Sequence, residues 1–306
     1  MLDTYRGCLI GAVLGDALGM PNETSTARFT GELTFKKAYR GHPNFELSPG
    51  QYTDDSQIIL IASRLLAEGT FNKENYAKEL HKTFTLNKFR YPDGATYAAC
   101  KKMDASKKFT ESGVMSDSAG CMALAVPFAL CYSDRKAMAK DLLEACCVTH
   151  THAAAHAAVI GFALYLNTII ETRDIEKAYS SLMTAMENMD AELGRRIENA
   201  MRIESQGVPL DVAVNIIGST SSVYHTLPLA MYLTKRYFVP CELLSAASSC
   251  GGNCDTVAML CGAVCGARFG MSSLPEELIR NLERAGIFAE LAEKLMEKAH
   301  SKNAEK

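Results

Sequence analysis

The sequence lacks an excess of positive charge. Its 32 lysines and arginines are outnumbered by 35 aspartates and glutamates, which gives a formal net charge of −3 at pH 7. A chain without a basic field has no long-range attraction for nucleic acid or for an anionic membrane. We therefore expect no direct nucleic-acid binding.

Long apolar runs are also missing. No stretch reaches the ~18 uninterrupted apolar residues of a membrane-spanning helix. The apolar N-terminal segment is interrupted by Asp16 and several glycines, and an acidic rather than a basic residue precedes it. Because this is not the pattern of a signal peptide, we expect a cytoplasmic protein without a membrane span.

Cysteine pairs of the CxxC type are absent, although the chain has eleven cysteines. Without a secretory signal, these are expected to be reduced thiols that serve as small apolar residues. Cys250 and Cys254 are a weak indication of zinc, because no second cysteine or histidine pair at ligand spacing would complete the site.

Few segments alternate with period two, whereas apolar residues recur at three- and four-residue intervals along most of the chain. This pattern predicts an all-α protein. No linker marks a boundary, so we expect one domain over residues 1–300 and a polar tail over 301–306. The helices are predicted at residues 5–19, 56–68, 73–84, 120–132, 135–147, 152–171, 174–188, 190–203, 208–217, 223–235, 240–249, 255–267 and 274–298.

Small residues form two stripes. A glycine stands at every fourth position of residues 7–19, and Ala258, Gly262 and Gly266 repeat the spacing near the C-terminus. On a helix such a stripe lets another backbone approach closely. Between the helices, residues 21–55 and 85–118 are predicted to be long irregular connections, which in compact domains are often functional.

Two predicted helices begin with clusters of oxygen-bearing side chains. Thr53, Asp54 and Asp55 precede one apolar helix, and Asn253, Asp255 and Thr256 precede another about 200 residues later. Taken alone, Asp54 and Asp55 are compatible with an ordinary helix N-cap. Together the two clusters supply hard oxygen ligands suited to Mg²⁺ or Mn²⁺, enough for two ions if the turns face each other.

With these clusters the chain resembles the ADP-ribosylglycohydrolase family. The resemblance rests on GCLIGAVLGDALGMPNE at residues 7–23, GQYTDDSQ at 50–57 and GGNCDTVAMLCGAVCGARFG at 251–270, in that order. It implies a single compact orthogonal multi-helix domain with a two-metal cleft. It also implies two Mg²⁺ ions as cofactors, with Mn²⁺ as the alternative.

The resemblance assigns roles to particular residues. Its TDD and GGDxDT motifs fall on the two acidic clusters, so the predicted metal ligands are Thr53, Asp54, Asp55, Asn253, Asp255 and Thr256. The family usually has an aspartate where this chain has Asn253, which keeps an oxygen ligand but loses a charge. Glu23 is the expected mobile catalytic carboxylate, with Asp54 and Asp55 as further catalytic candidates, whereas Asp16 is expected to be structural.

The segment SDSAGCMALAVP at residues 116–127 resembles the family's phosphate loop. Backbone amides near Ser118, Gly120 and Cys121 are predicted to bind the diphosphate of ADP-ribose. Ala119 and Leu124 depart from the asparagine and arginine that are common in the family. A plain helix N-cap is the alternative interpretation of this segment.

Histidines and tyrosines complete the predicted site. His150 and His152 lie in a segment that in the family lines the ADP-ribose cleft, whereas His156 is expected to be buried or capping. An aromatic ring is expected to support adenine. The sequence leaves three candidates open, which are Tyr91, Tyr97 and Phe109.

The function implied is hydrolysis of the N- or O-glycosidic bond between ADP-ribose and a modified protein side chain or related acceptor. The expected partner is an ADP-ribosylated protein or conjugate, and the expected state is a monomer. A catalytically impaired ADP-ribose binder or a structural, crystallin-like relative is the first alternative. An unrelated metal-dependent phosphoesterase is the second, and it leaves the other motifs unexplained.

Overall fold

Helices make up nearly all the regular structure of residues 1–301, the part of the chain that this computed structural model describes. In those residues no β-sheet forms, and only three isolated bridges connect loops. The all-α prediction is therefore confirmed. The fifteen α-helices of residues 1–301 are α1 (Leu2–Gly19), α2 (Asp54–Glu68), α3 (Lys73–Thr85), α4 (Gly94–Ser106), α5 (Ala125–Cys131), α6 (Arg135–Cys146), α7 (Ala153–Thr172), α8 (Ile175–Met189), α9 (Ala191–Ser205), α10 (Leu210–Ile217), α11 (Val223–Arg236), α12 (Pro240–Ser248), α13 (Cys254–Phe269), α14 (Glu276–Asn281) and α15 (Ala285–Ser301).

Helices α1 and α13 pack backbone against backbone at the centre of the molecule. A methyl group added at Gly11 would overlap the backbone of Gly262. One added at Gly19 would overlap the backbone of Asp255. The two small-residue stripes therefore pack against each other, and their contact holds the C-terminal end of α1 beside the acidic start of α13.

Helix α7 is long and apolar enough to cross a membrane by length and composition alone. Within the protein, however, 78% of its apolar window is buried by the surrounding helices. A helix buried to this extent is typical of the core of a globular domain. All eleven cysteines lie in residues 1–301 and are free thiols, and most are buried as small core residues.

The sequence prediction is wrong in two places. Residues 85–118 contain α4, which begins where the Asp93 carboxylate accepts a hydrogen bond from Thr96 N at 2.7 Å. Its apolar stripe is made of small residues, which hid the helical period. The predicted helix 274–298 is broken between α14 and α15, where Arg284 has a φ of +57° and Glu283 pairs with Arg90.

The polar tail predicted over residues 301–306 is described only at its first residue. Ser301 still belongs to α15, and residues 302–306 lie outside the described part of the chain. The other helices begin and end within a few residues of the predicted bounds. The predicted helix 120–132 differs in type as well, because its first part, Ala119–Leu124, is a 3₁₀ helix and only the rest is the α-helix α5.

Candidate active site

A cavity of about 640 Å³ opens where several helices present their N-terminal ends. This volume is typical of a pocket for a small organic ligand. The ends of α2, α4 and α13 meet there, and helix N-termini favour carboxylates and phosphates. The cavity is lined by Glu23, Thr24, Asp54, Asp55, Tyr91, Pro92, Asp93, Gly94, Tyr97, Ser118, Gly120, Thr220, Ser221, Gly252, Asn253, Asp255 and Thr256.

The two acidic turns converge in this cavity. Asp54 and Asp55 come from the start of α2, and Asn253, Asp255 and Thr256 come from the start of α13. Burial raises the pKa of Asp55, and the Thr256 side chain from the other turn opposes that shift. Segments almost 200 residues apart in the sequence thus form one oxygen-rich surface.

Asp16 joins α1 to the start of α2. Its fully buried carboxylate accepts hydrogen bonds from Thr53 N at 3.1 Å and from Thr53 Oγ1 at 2.8 Å, and further bonds from Ser56 N and Oγ. Burial raises the pKa of Asp16, although these four bonds oppose the shift. The structural role predicted for Asp16 is confirmed, since the carboxylate is engaged by α2 and does not line the cavity.

Thr53 lies behind the cavity surface. Its hydroxyl donates to Asp16 and accepts from Asp55 N at 3.3 Å, so it caps α2. A hydroxyl oxygen has two lone pairs, and one is left for a further contact. The N-cap interpretation of Asp54 and Asp55 is therefore wrong, because Thr53 is the cap and both aspartates line the cavity.

Replacing Asp16 with alanine is expected to destabilise the fold by about 3 kcal/mol or more, because four buried donors of α2 would lose their acceptor. Asp16→Asn, which keeps one acceptor oxygen, is expected to lose less. Urea denaturation of the two variants and the wild type measures the difference. Equal stability of Asp16→Ala and the wild type would contradict the role of this carboxylate.

The cavity is strongly acidic. Five carboxylates line it, and within residues 1–301 no lysine, arginine or histidine does. Burial and then the charges of Asp255 and Asp55 raise the pKa of Glu23 to about 10. Burial and then Asp16 raise the pKa of Asp255 to about 7. Crowded buried carboxylates of this kind are stabilised by a bound cation.

Two carboxylate oxygens lack any partner. Glu23 Oε2 and Asp55 Oδ2 are buried and accept no hydrogen bond. An unsatisfied buried oxygen is costly unless something positive contacts it. The donor set is made of hard oxygens, which suits Mg²⁺ or Mn²⁺.

In residues 1–301, no three His, Cys, Asp or Glu side chains are arranged to hold one ion on their own. An ion at this site therefore needs threonine, asparagine, backbone or water oxygens as well. Mg²⁺ commonly keeps several waters and uses only one or two carboxylates. The amide of Asn253 fits this need, since its nitrogen donates to Thr226 Oγ1 at 3.3 Å and leaves its oxygen available.

Asp93 is a cavity residue that the sequence interpretation missed. Its Oδ2 accepts hydrogen bonds from Ser118 Oγ at 2.6 Å and from His150 Nε2 at 3.1 Å. Burial opposes ionisation, but the hydrogen bond and charge of His150 hold the pKa of Asp93 below its usual range. Gly120 lies so close to this carboxylate that a Cβ there would be 2.5 Å from Asp93 Cγ.

His150 and His152 lie outside the cavity lining. His150 is fully buried behind Ser118 and Asp93. Burial lowers its pKa, but the neighbouring Cys121 and Asp93 outweigh burial and raise that pKa to about 9. His152 caps α7 by accepting from Ala154 N at 3.1 Å. His150 therefore supports the cavity residues Ser118 and Asp93, His152 caps a core helix, and His156 bonds the His150 carbonyl at 2.9 Å.

The family that these features indicate is established by comparison with known proteins. The family model of ADP-ribosylglycohydrolase matches residues 1–305. The chain belongs to the ADP-ribosylglycohydrolase family.

Several relatives cover nearly the whole chain. An uncharacterized protein of Archaeoglobus fulgidus is 28% identical over 97% of both chains. ADP-ribosylhydrolase ARH3 of Homo sapiens is 24% identical, over 92% of this chain and 90% of its own. ADP-ribosylarginine hydrolase Tri1 of Serratia proteamaculans is 23% identical, over 96% of this chain and 79% of its own.

The fold is shared with a solved structure. An ADP-ribosylglycohydrolase-related protein complex superposes with a TM-score of 0.79 and 20% identity, over 97% of this chain and 98% of the other. This likeness shows the fold, and membership of a hydrolytic family shows that the chain is an enzyme.

The departures from the family pattern in the phosphate loop are buried. Ala119 and Leu124 have no exposed surface, so neither contributes a side chain to the cavity. The Ala119 N–H donates to Ser221 O at 2.7 Å, and Ser118 N donates to Ser116 Oγ at 3.2 Å. Gly120 lines the cavity and its amide remains a candidate donor, whereas the predicted Cys121 is buried and does not line the cavity.

The cavity also has a hydroxyl-rich side that the sequence interpretation missed. Thr220 and Ser221 line it from the segment that precedes α11. Asn253 N donates to Ser219 O at 2.7 Å, so the same segment supports the start of α13. The run of four hydroxyl residues at 219–222 is the signal that was available in the sequence.

Two of the three aromatic candidates lie at the cavity. Tyr91 and Tyr97 line it and are 47% and 46% exposed. Phe109 instead packs against His81, with ring centroids 5.0 Å apart. Tyr91 has a φ of +59°, which is rare for a bulky residue and common where a binding site constrains the backbone.

Proposed function

We propose that the protein is a metal-dependent hydrolase that cleaves the N- or O-glycosidic bond between ADP-ribose and a modified arginine, serine or related acceptor. Release of ADP-ribose is the expected product. The observation that carries this proposal is the convergence of the two acidic turns in one cavity. The unpartnered oxygens of Asp55, in the first turn, and of Glu23, on the connection after α1, support a positive charge at this position.

Two Mg²⁺ ions, with Mn²⁺ as the alternative, fit the donor set. When bound, such ions offset the carboxylate charge and supply positive charge to ribose hydroxyls and diphosphate. Without that charge, five carboxylates would repel an anionic substrate. The ligands proposed are Thr53, Asp54, Asp55, Asn253, Asp255 and Thr256.

Glu23 is the proposed proton-transfer residue. Bond cleavage at an anomeric carbon develops oxocarbenium-like charge, and a positioned carboxyl group transfers a proton to the leaving group or from the attacking water. Glu23 is the one cavity carboxylate that is carried by the irregular connection after α1 rather than by a helix start. Asp54 and Asp55 act mainly by holding cations.

Neutral groups on the opposite segments would bind the rest of ADP-ribose. The amide of Gly120 and the hydroxyls of Ser118, Thr220 and Ser221 are donors suited to phosphate and ribose oxygens. Tyr91 and Tyr97 offer exposed aromatic faces, which stack on adenine or on a guanidinium group.

The function is tested with peptides that carry ADP-ribose on arginine, serine or glutamate. Release of ADP-ribose from at least one of them in Mg²⁺ is the expected result, and absence of release from all would overturn the proposal. Tyr91→Ala distinguishes the two uses of the ring. A higher KM for every peptide assigns it to adenine, whereas a higher KM for the arginine peptide alone assigns it to the acceptor.

Asn253→Asp is expected to lower the Mg²⁺ concentration for half-maximal activity by about 10-fold, because a charged ligand replaces a neutral one. In EDTA the same variant should melt at a lower temperature than the wild type, since a further carboxylate joins the cluster. Mg²⁺ titrations of activity and of Tm measure both effects. Unchanged Mg²⁺ dependence would remove Asn253 from the ligand set.

A further inference from the structure

A buried histidine contacts the backbone of the proposed proton-transfer residue. His42 lies in the long connection between α1 and α2, and only 3% of it is exposed. Its Nε2 lies 3.2 Å from the carbonyl oxygen of Glu23, nineteen residues earlier in the chain. Sequence reasoning gave this histidine no role.

The hydrogen bonds fix the tautomer of His42. Asn44 N donates to His42 Nδ1 at 3.0 Å, and a backbone N–H can only donate. Nδ1 is therefore unprotonated, and the proton of the neutral ring lies on Nε2. Burial lowers the pKa of His42, which keeps the ring neutral. The Nε2–H thus donates to the Glu23 carbonyl.

The backbone around Glu23 is held from several sides, whereas its carboxylate is not. Thr24 N donates to Gly252 O at 2.8 Å, next to the second acidic turn. The Tyr39 ring packs edge-on against His42 at 5.3 Å, and its hydroxyl lies 3.2 Å from Thr24 Oγ1. Because Glu23 Oε2 has no partner of its own, the position of the carboxylate in the cavity depends on this backbone.

We propose that His42 is a positioning residue for the hydrolytic reaction, which fixes the Glu23 carboxylate in the cavity by donating its Nε2–H to the Glu23 carbonyl. This role rests on the proposed function of Glu23. It also assigns a role to the connection between α1 and α2, because residues 39–44 of this connection contact Glu23 and Thr24 at its start.

The two ring nitrogens of His42 make different contacts, so separate substitutions can distinguish the positioning of Glu23 from a local structural role. The bond at Nδ1 shapes the turn to Asn44, and the bond at Nε2 reaches Glu23. His42→Asn places an acceptor near the Nδ1 position and loses the contact with Glu23. His42→Gln places a donor near the Nε2 position and loses the turn contact.

The variants are compared with the wild type on whichever ADP-ribosylated peptide the wild type cleaves fastest. His42→Asn is expected to lower kcat by about 10-fold or more, with KM, ADP-ribose affinity and Tm nearly unchanged. His42→Gln is expected to recover kcat to within about threefold of the wild type. In a Glu23→Gln background, His42→Asn should cause no further loss, because it acts through Glu23.

Other results overturn the proposal. A wild-type kcat for His42→Asn overturns it, and so do equal losses of kcat and Tm in both variants, which would indicate a local structural role. A further loss in the Glu23→Gln background also overturns it. If the wild type cleaves while His42→Asn is unaffected, only this proposal fails; a wild type without turnover on any linkage overturns the proposed function as well.

Discussion

Removing divalent cations with EDTA is expected to slow ADP-ribose release at least about 1000-fold, and adding Mg²⁺ is expected to restore it. The cavity has five carboxylates and, in the described chain, no cationic side chain on its surface. A diphosphate substrate entering it without cations would meet only negative charge and hydroxyl or amide dipoles. The loss should therefore appear in KM as well as in kcat.

Two variants test whether the dependence of activity on divalent cations arises at the acidic turns. Asp54→Ala and Asp255→Ala each remove one carboxylate from a different turn, and each is expected to cause a loss comparable to that caused by EDTA. Asp211→Ala is the matched control, because Asp211 is exposed and does not line the cavity. Full activity in EDTA would contradict the metal-dependent mechanism.

Cation binding should also be visible without turnover. Burial and then neighbouring carboxylates raise the pKa of Asp54 and Asp55 well above the usual range. An ion that relieves this repulsion binds the folded protein and raises its Tm by mass action. Thermal unfolding in Mg²⁺ and in EDTA is therefore expected to show a higher Tm with Mg²⁺, and a smaller difference for Asp255→Ala.

Glu23→Gln is expected to lower kcat by about 100- to 10,000-fold, because the amide keeps the volume of the side chain but cannot transfer the proton. The Glu23 Oε2 atom is buried without a partner, so the substitution breaks no hydrogen bond at that atom. Affinity for ADP-ribose, measured by calorimetry, is expected to stay within a few-fold of the wild type. If Glu23→Gln folds and binds ADP-ribose like the wild type, the loss of kcat is due to catalysis and not to a damaged structure.

The matched control for this prediction is Glu46→Gln, since Glu46 is exposed on the same connection between α1 and α2. It is expected to leave kcat unchanged. If Glu23→Gln keeps the wild-type kcat in saturating Mg²⁺, proton transfer is assigned to another group, and Asp54 and Asp55 are the next candidates.

Much of the fold follows from short-range patterns. Apolar residues at helical spacing place most of the helices, because each helix must bury one face. The pattern fails at α4, where Ala95, Ala99 and Cys100 form a weakly apolar stripe. It also fails at residues 282–284, where the break depends on the pairing of Glu283 with Arg90, from a distant part of the chain.

The candidate site also has residues that the sequence predicts and residues that only the tertiary structure reveals. The acidic starts of α2 and α13 are visible as motifs, because oxygen donors at a helix start are local features of the sequence. The role of Asp93 cannot be recognised from the sequence, because a single aspartate before glycine is typical of an ordinary turn or N-cap. Its importance comes from Ser118 and His150, which contact it across 25 and 57 residues of sequence.

The sequence by itself determined which helix starts carry clusters of oxygen-bearing side chains and which helices have small-residue faces that allow close contact. Only the tertiary structure decided that the glycine stripe of α1 meets α13, and that this contact brings Asp255 beside Asp55 and Glu23. Helical period and capping are encoded within a few residues, whereas the choice of packing partner depends on the shape and burial of all helices together.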